Sequence, residues 1–423
     1  FPAVRIQTDY QDNLDIVRMC EMRIRVPEQW WGDYLAALGA ARIGEREMLS
    51  LGAEVGWDRL DQFAEQWFDY SEQLMTSSIR RMPAGKTTTY SRHDPFPGAE
   101  DGIDVKVEVE IRPEEGMIEV DLRDNPDCLP CGLNLSQACT ESSVLLGIFN
   151  SIQEDVPTNA GSLRRVKMHL RENCVVGIPR HPTSCSVATT NVADRVGNSV
   201  ARAIAELGDG FGMASAGSIS EKTGGPYVNQ IFLGWGGGAA GPQVDAWISI
   251  GHIGNAGGSY QDSIELDEMR FPMHVAGRHF ITDSGGTGRT RGGEAVYCEF
   301  GPTEGDMEVG YVSDGNDHAP EGTRGGGDGA CANQFRRDLN GDLHQLDACA
   351  QAIIPEGHTI VSYSCGGGGY GAPLERDADK VAHDVREKWI SVDVAKDAYG
   401  VVVSAGGVID QAATDKLRAG EGG

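Results

Sequence analysis

Glycine is concentrated in the second half of this chain, and that distribution is the strongest constraint on its fold. The 423 residues include 57 glycines, about double the ordinary usage of roughly 7%. From Gly208 onward, glycine runs at 236–238, 285–293, 325–327 and 366–369 separate short apolar segments. Each glycine in a regular element costs roughly 1 kcal/mol relative to alanine. Such runs therefore predict a β-rich region in which the backbone passes very close to a ligand, a neighbouring chain or another segment.

Helices and a hairpin are predicted before the glycine-rich half. Apolar residues recur at steps of three and four over residues 30–51 and again over 58–75, which indicates one buried stripe on each helix. Residues 105–111 alternate apolar and charged side chains, as a strand with one solvated face does, and residues 117–122 alternate again after a turn. Further helices are predicted over the ranges 137–152, 191–207 and 377–388.

These segments together predict an α+β fold. Residues 1–90 form an N-terminal helical segment, and residues 91–207 form a mixed α/β central domain. Residues 208–405 form a glycine-rich, β-dominated C-terminal domain with a closing helix, and residues 406–423 are predicted to be a tail. No fixed repeat period is present, which argues against a solenoid or a propeller.

The charge balance excludes two classes of partner. Asp and Glu number 63 against 36 Lys and Arg, so the formal net charge is −27. Such a chain repels phosphate backbones and anionic lipids, which argues against nucleic acid and membrane as partners. No run approaches the roughly 20 apolar residues of a membrane-spanning helix. Ten cysteines are too few for a disulfide scaffold of this size, so the sequence predicts a cytoplasmic protein with reduced thiols.

Cysteine and histidine offer weak candidates for a metal or catalytic site. Cys128-Leu-Pro-Cys131, with Cys139 downstream, could hold zinc, but no second pair of ligands follows, and ordinary thiols are the alternative. The ten histidines show no ligand spacing. His252 and His318 lie in glycine-rich or polar loops, where an imidazole can bind substrate or transfer a proton. The alternative for each is a hydrogen-bonded surface histidine.

Two glycine motifs are candidates for binding an anion or a substrate. In the first, Gly285 and Gly286 expose backbone N–H groups, and Arg289 and Arg291 add positive charge. The motif lacks the Gly-Lys-Ser/Thr end of a Walker A loop. In the second, the run 366–369 contains the two candidate glycines Gly367 and Gly368. Structural turns that let segments pass closely are the alternative for both motifs.

The same motifs carry a resemblance to a known family. The run 366–377, followed by Asp384-Val385 and Tyr399-Gly400, resembles the C-terminal signature of the hydantoinase B, oxoprolinase and acetone carboxylase alpha-subunit family. The run 283–293 looks like that family's internal signature. The likeness extends over about residues 10–405 and corresponds to the C-terminal two thirds of family members.

This resemblance implies an enzyme that needs a partner. A hydantoinase-A-type subunit with an actin-like fold would bind ATP and Mg and phosphorylate a small-molecule substrate. The leading expectation is a B-type subunit, or part of one, of an ATP-dependent amidohydrolase that opens a hydantoin, oxoproline or lactam ring. The first alternative is the alpha-type subunit of an ATP-dependent ketone carboxylase for acetone or acetophenone. The second is a non-catalytic half that docks the ATPase.

The resemblance also implies a divalent metal, Zn or Mn, in an N-terminal region that we expect to be absent from this chain. The Asp/His cluster that ligates this metal in family members has no match here. A separate metal-bearing chain or domain is therefore expected, and no metal ligand is assigned to any residue of this sequence.

Overall fold

A computed structural model describes residues 4–152, 155–186, 188–202, 205–208, 210–231, 234–250 and 261–420. Within these ranges helices and strands are both abundant, and an N-terminal helical region comes first. The predicted α+β class is confirmed. The described part of the chain contains no helix that is both long enough and apolar enough to cross a membrane.

The N-terminal region consists of three helices beside a small strand pair. Its elements are β1 (Gln7–Thr8), β2 (Gln11–Asp12), α1 (Leu14–Arg23), α2 (Pro27–Val55) and α3 (Trp57–Arg80). Pro27 occupies the first turn of α2, where its missing N–H costs nothing. Gly56, with φ of 91°, ends α2 and precedes α3 in a conformation that favours glycine. Both helices predicted for this region are confirmed, and each is longer than its apolar pattern indicated. The single buried stripe predicted for each is wrong, because Trp31 and Leu35 of α2 and Phe63 and Trp67 of α3 are exposed.

The central region is a four-stranded sheet covered by helices. The sheet has the order β3-β4-β5-β6, antiparallel except for the parallel pair β5 and β6. Helices α4 and α6 pack on each other, and α6 packs on β3 and β4, which encloses one apolar core. The elements are β3 (Gly85–His93), β4 (Ile103–Arg112), β5 (Met117–Asp121), α4 (Gln137–Ser151), α5 (Ala160–Leu163), β6 (Val166–His169) and α6 (Val192–Val200).

Helix α6 is shorter than the predicted range 191–207. It ends at Val200, and the N–H groups of Ala205 and Glu206 donate to the carbonyls of Ala240 and Glu321. Hydrogen bonds to distant segments therefore replace those that would have continued the helix, and no local pattern encodes them.

The glycine-rich half contains a two-sheet sandwich. One antiparallel sheet has the order β13-β12-β15-β10-β9 and the other β14-β11-β7-β8. Residues from both sheets form a single core that includes Phe300, Met307 and Ile360. The elements are β7 (Gly210–Ser220), β8 (Gly225–Gln230), α7 (Ile264–Arg270), β9 (Met273–Phe280), β10 (Val296–Pro302), β11 (Met307–Asp314), β12 (Asn333–Arg337), β13 (Leu343–Gln345), β14 (Cys349–Ile354) and β15 (Thr359–Tyr363).

Four glycine-rich segments outside the sheets pack on one another, and we call them the glycine bundle: residues 234–241, 284–293, 320–330 and 365–371. Each segment bonds to more than one neighbour, and none of the four contains a strand. For example, Gly286 N–H donates to Gly367 O, and Gly367 N–H donates to Gly293 O. A Cβ atom on Gly367 would lie 1.7 Å from Gly238 O. The glycine runs predicted that the backbone passes very close to a ligand, a neighbouring chain or another segment. At this position the neighbour is another segment of the same chain.

The C-terminal residues form a further small core from α8 (Ala378–Arg386), α9 (Val392–Asp397) and the segment 398–409, and α10 (Gln411–Arg418) follows it. The prediction of a tail over 406–423 did not include α10. This helix is capped by the Asp410 side chain, and Arg418 Nη2 donates to Arg376 O at 2.7 Å. Its single buried residue, Thr414, gives too weak an apolar pattern for the sequence to show it.

Candidate acid–base site and substrate pocket

His318 is held by a buried carboxylate, as an acid–base residue has to be. Asp94, which follows β3 directly, is fully buried, and its Oδ1 lies 2.9 Å from His318 Nδ1. The same carboxylate accepts the backbone N–H groups of Asn316, Asp317 and His318. The His318 side chain is 35% exposed. A carboxylate oxygen that accepts from Nδ1 places the ring proton on that nitrogen, so that Nε2 is the one to accept a proton.

A buried network of charged residues holds the backbone on both sides of the His318–Asp94 pair. Arg195 of α6 forms two bonds to Asp314 at the end of β11, Nε to Oδ2 at 2.8 Å and Nη2 to Oδ1 at 3.0 Å. Its Nη2 also donates to His318 O at 3.2 Å. The backbone N–H of Asp94 donates to Asp314 Oδ1 at 3.1 Å. The network thus joins the central sheet, α6 and the sandwich at the loop that carries His318.

The pKa values in this network follow from burial and pairing. Burial alone would raise the pKa of Asp314, but the Arg195 guanidinium lowers it to about 2. Burial raises the pKa of Glu206, and Arg195, whose Nη1 lies 3.4 Å from Glu206 Oε2, opposes that effect. Asp314 is therefore ionised at neutral pH, and the Asp314–Arg195 pair is charged on both sides.

Sequence reasoning identified His318 but missed Asp94, Arg195 and Asp314. These residues are more than a hundred positions apart in sequence, so no spacing connects them. No spacing or period marks Arg195 either, because the burial of every residue from Val192 to Ser199 is a property of the fold and not of the local sequence.

The predicted anion-binding arginines have protein partners. Arg291 is buried, pairs with Glu294, and has its guanidinium 4.8 Å from the centre of the Trp389 ring. Arg289 is half exposed, and its Nη2 donates to Pro242 O at 2.8 Å. Arg376 bridges Asp245 and Asp384 beside them. Substrate or anion contact by Arg289 and Arg291 stays a prediction.

The four candidate glycines lie inside the glycine bundle. Gly286 N–H and Gly367 N–H donate within the bundle, and Gly368 N–H donates to Glu206 O. A Cβ atom on Gly285 would lie 2.3 Å from Gly292 O. Their contact with an anion or substrate also stays a prediction. The other candidate histidine, His252, lies outside the described residues.

No group of three or more His, Cys, Asp or Glu residues suited to a metal ion occurs in the ranges that the structure describes. Cys128 and Cys131 are free thiols that line a cavity of about 610 Å³, and burial raises the pKa of Cys128. The described residues therefore do not fit the divalent metal that the family resemblance implies.

A pocket of about 350 Å³ lies between α6 and the glycine bundle. Its wall includes Leu207, Trp247 and Ile250, and Asn198 of α6 also lines it. Asn198 is 2% exposed, and its Nδ2 donates to Leu207 O at 3.1 Å. Its Oδ1 has no hydrogen-bond partner within the described part of the chain. The apolar part of the pocket wall suits a small ligand with apolar carbons.

The fold and the glycine motifs are those of one class of enzyme component, and this chain belongs to the hydantoinase B/oxoprolinase family. The model for that family matches residues 1–373. The beta chain of the caprolactamase of Pseudomonas jessenii is 26% identical over 99% of this chain and 74% of that protein. A protein of Pseudomonas sp. strain NS671, named for the B component of a D-/L-hydantoinase, is 25% identical over 99% of this chain and 72% of that protein.

Two solved structures share the fold. The ATP-dependent caprolactamase of Pseudomonas jessenii superposes with a TM-score of 0.85 at 24% identity, over 99% of this chain and 74% of that one. A nucleotide-free acetone carboxylase structure superposes with a TM-score of 0.82 at 17% identity, over 99% and 63%. The family resemblance read from the glycine motifs is confirmed.

Proposed function

We propose that this chain is the B-type component of an ATP-dependent amidohydrolase that opens a cyclic amide, working with a hydantoinase-A-type ATPase subunit. The observation that carries the proposal is the His318–Asp94 pair, because it offers a positioned acid–base group in a family of such enzymes. Support for an amide substrate comes from the two relatives named for caprolactamase and hydantoinase activity.

The partner would use ATP and Mg to phosphorylate the amide oxygen, which turns a poor electrophile into a reactive one. In the proposed binding mode, Leu207 and Trp247 contact the ring carbons in the pocket. His318 Nε2 takes a proton from the attacking water and returns it to the ring nitrogen when the C–N bond breaks. That cleavage leaves an acyl phosphate, which a second water hydrolyses to the carboxylate of the amino acid and inorganic phosphate. Asp94 stabilises the imidazolium formed in between.

Replacing His318 by asparagine should lower kcat by about 10² to 10⁴, because a positioned general base contributes that much. KM should change little. The assay combines the variant with the ATPase subunit, ATP and a lactam, and follows release of the amino acid. His344→Asn is the matched control, since His344 also pairs with an aspartate, Asp338, but at an exposed position. If the folded His318→Asn protein kept full activity, His318 would have no role in the reaction.

Replacing Trp247 by alanine should raise KM about tenfold and leave kcat within about threefold. The indole lines the pocket and is 65% exposed, so its removal takes away ground-state binding without opening a core. Leu339→Ala, at a 74% exposed loop position, is the control. An unchanged KM would mean that the substrate ring binds outside this pocket. That conclusion would not depend on the role of His318.

The ketone carboxylase alternative is favoured by the shared fold with acetone carboxylase and by sequence similarity to subunits of acetone and acetophenone carboxylases. Supplying the reconstituted enzyme with labelled bicarbonate separates the two reactions, because only a carboxylase transfers the bicarbonate carbon to its product. The second alternative is a non-catalytic half that docks the ATPase. It predicts that His318→Asn and Trp247→Ala both leave full activity, although the enzyme still requires the chain.

A further inference from the structure

A cavity of about 620 Å³ lies against one face of β3 and β4, and we call it the β3–β4 cavity. Helix α6 packs on both strands. On the apolar face of β4, Val105 and Val107 are fully buried. Farther along the same face, Val109 and Ile111 are only partly buried, and both line the cavity. Helix α6 ends at Val200, which also lines the cavity, so this part of the face is not covered by the helix.

Much of the wall of this cavity is apolar. Met82, Val109, Ile111 and Val200 all pack against the central core and all remain partly exposed. Cavities that bind small ligands have volumes of roughly 300–1,000 Å³ and are lined mostly by apolar side chains with a few polar groups. The β3–β4 cavity shares no described lining residue with the proposed substrate pocket. It is therefore a candidate for a second ligand.

The charged groups of the cavity are all positive. Among its described lining residues, Arg202 and Arg324 carry charge, and none is Asp or Glu. Arg202 is already engaged, because its guanidinium lies 3.1 Å from a carboxylate oxygen of Glu206 and 2.9 Å from one of Glu321. In the described ranges of the chain, no ion pair joins Arg324 to a carboxylate. The Arg324 guanidinium is thus available to an anionic group from outside the chain.

The backbone of Arg324 gives a second, independent indication that its side chain has a role. Its φ is 56°, in the left-handed region that disfavours a residue with a Cβ atom. Residues 322–329 around it include five glycines, so glycine is the residue type that this segment otherwise uses. Strained residues of this kind cluster at binding and catalytic sites, where the side chain compensates for the cost. At this position the side chain lines the β3–β4 cavity.

We propose that the β3–β4 cavity binds a small aliphatic carboxylate, whose carboxylate pairs with Arg324 and whose carbon chain packs on Val109, Ile111 and Val200. A guanidinium can donate two parallel N–H···O bonds to a carboxylate, and the apolar wall suits the chain. Inorganic phosphate would leave that wall without contacts. A dicarboxylate would bring a second, unpaired charge against it, which is costly. A monocarboxylate with several methylene groups fits both parts of the cavity.

Calorimetric titration of the purified chain with butanoate, hexanoate and hexanamide tests the proposal. Hexanoate should bind about tenfold more tightly than butanoate, because it buries two further methylene groups. Hexanamide has the same chain without the charge, and it should bind about tenfold more weakly than hexanoate. Trp247→Ala changes the proposed substrate pocket and not this cavity, so it should leave the affinity for hexanoate unchanged.

Two variants of Arg324 separate binding from folding. Arg324→Gln should lower the affinity for hexanoate about tenfold and leave the affinity for hexanamide unchanged. Arg324→Gly should lose the same affinity without a fall in melting temperature, because glycine adopts the backbone conformation of this position more readily. Arg59→Gln, at an exposed position of α3 outside the cavity, is the matched control and should bind hexanoate like the wild type.

Three results would each overturn the proposal: no binding of hexanoate, equal affinity for hexanoate and hexanamide, or an affinity for hexanoate that Arg324→Gln does not change. A loss of hexanoate binding in Trp247→Ala would also overturn it, because the ligand would then lie in the substrate pocket. These measurements use neither ATP nor the ATPase subunit, so failure here is independent of failure of the proposed function.

Discussion

Replacing Gly367 by alanine is expected to prevent the glycine bundle from forming. The new Cβ would lie 1.7 Å from Gly238 O and 2.4 Å from the Gly238 carbonyl carbon. Backbone atoms of a segment bonded on several sides cannot move away, so relief requires separating the segments. We expect a loss of more than about 4 kcal/mol in the free energy of unfolding, which is at the exceptional end for one substitution.

Urea unfolding followed by circular dichroism measures this loss. The matched control is Gly310→Ala in β11, where a Cβ would have nothing within 4 Å, and where the free energy of unfolding should change by less than about 1 kcal/mol. A Gly367→Ala protein with the stability of the Gly310→Ala protein would mean that the bundle is far looser than its hydrogen bonds indicate.

The glycine bundle also shows how far the sequence could lead. The runs of glycine predicted that the backbone passes close to something, and Gly367 confirms it. They did not identify the neighbour, because glycine has no side chain whose size or polarity would specify a partner. The N-terminal helices were predictable because a period of 3.6 residues is a local signal.

The candidate site was only partly predictable for the same reason. His318 stood out in a polar loop, but Asp94 reaches it from the end of a strand 224 positions away. Helix α6 is shorter than its pattern indicated, because Ala205 and Glu206 bond to distant segments. Pairings of this kind are decided by tertiary packing, and in a single sequence they leave no trace.

Replacing Asp314 by asparagine is expected to cost about 3–5 kcal/mol of stability, because it leaves the Arg195 guanidinium buried without its main counter-charge. The asparagine side chain has nearly the same shape as the aspartate side chain. The loss of stability therefore reports the missing charge and not a cavity. Asp124→Asn is the control, since Asp124 pairs with Lys106 at an exposed position and should leave the denaturation midpoint unchanged.

The pH dependence separates this electrostatic effect from general damage. The pKa of Asp314 is about 2 in the folded chain, against about 3.9 for an unfolded aspartate. A carboxyl whose pKa is lowered by folding stabilises the protein fully above its unfolded pKa. It loses that contribution as pH falls toward the folded value. The wild type should therefore lose about 2–3 kcal/mol between pH 5 and pH 2 through this group alone. The Asp314→Asn protein has no such proton to bind, so its stability should fall less steeply over that range. Parallel curves for the two proteins would show that the carboxyl is not held ionised by Arg195.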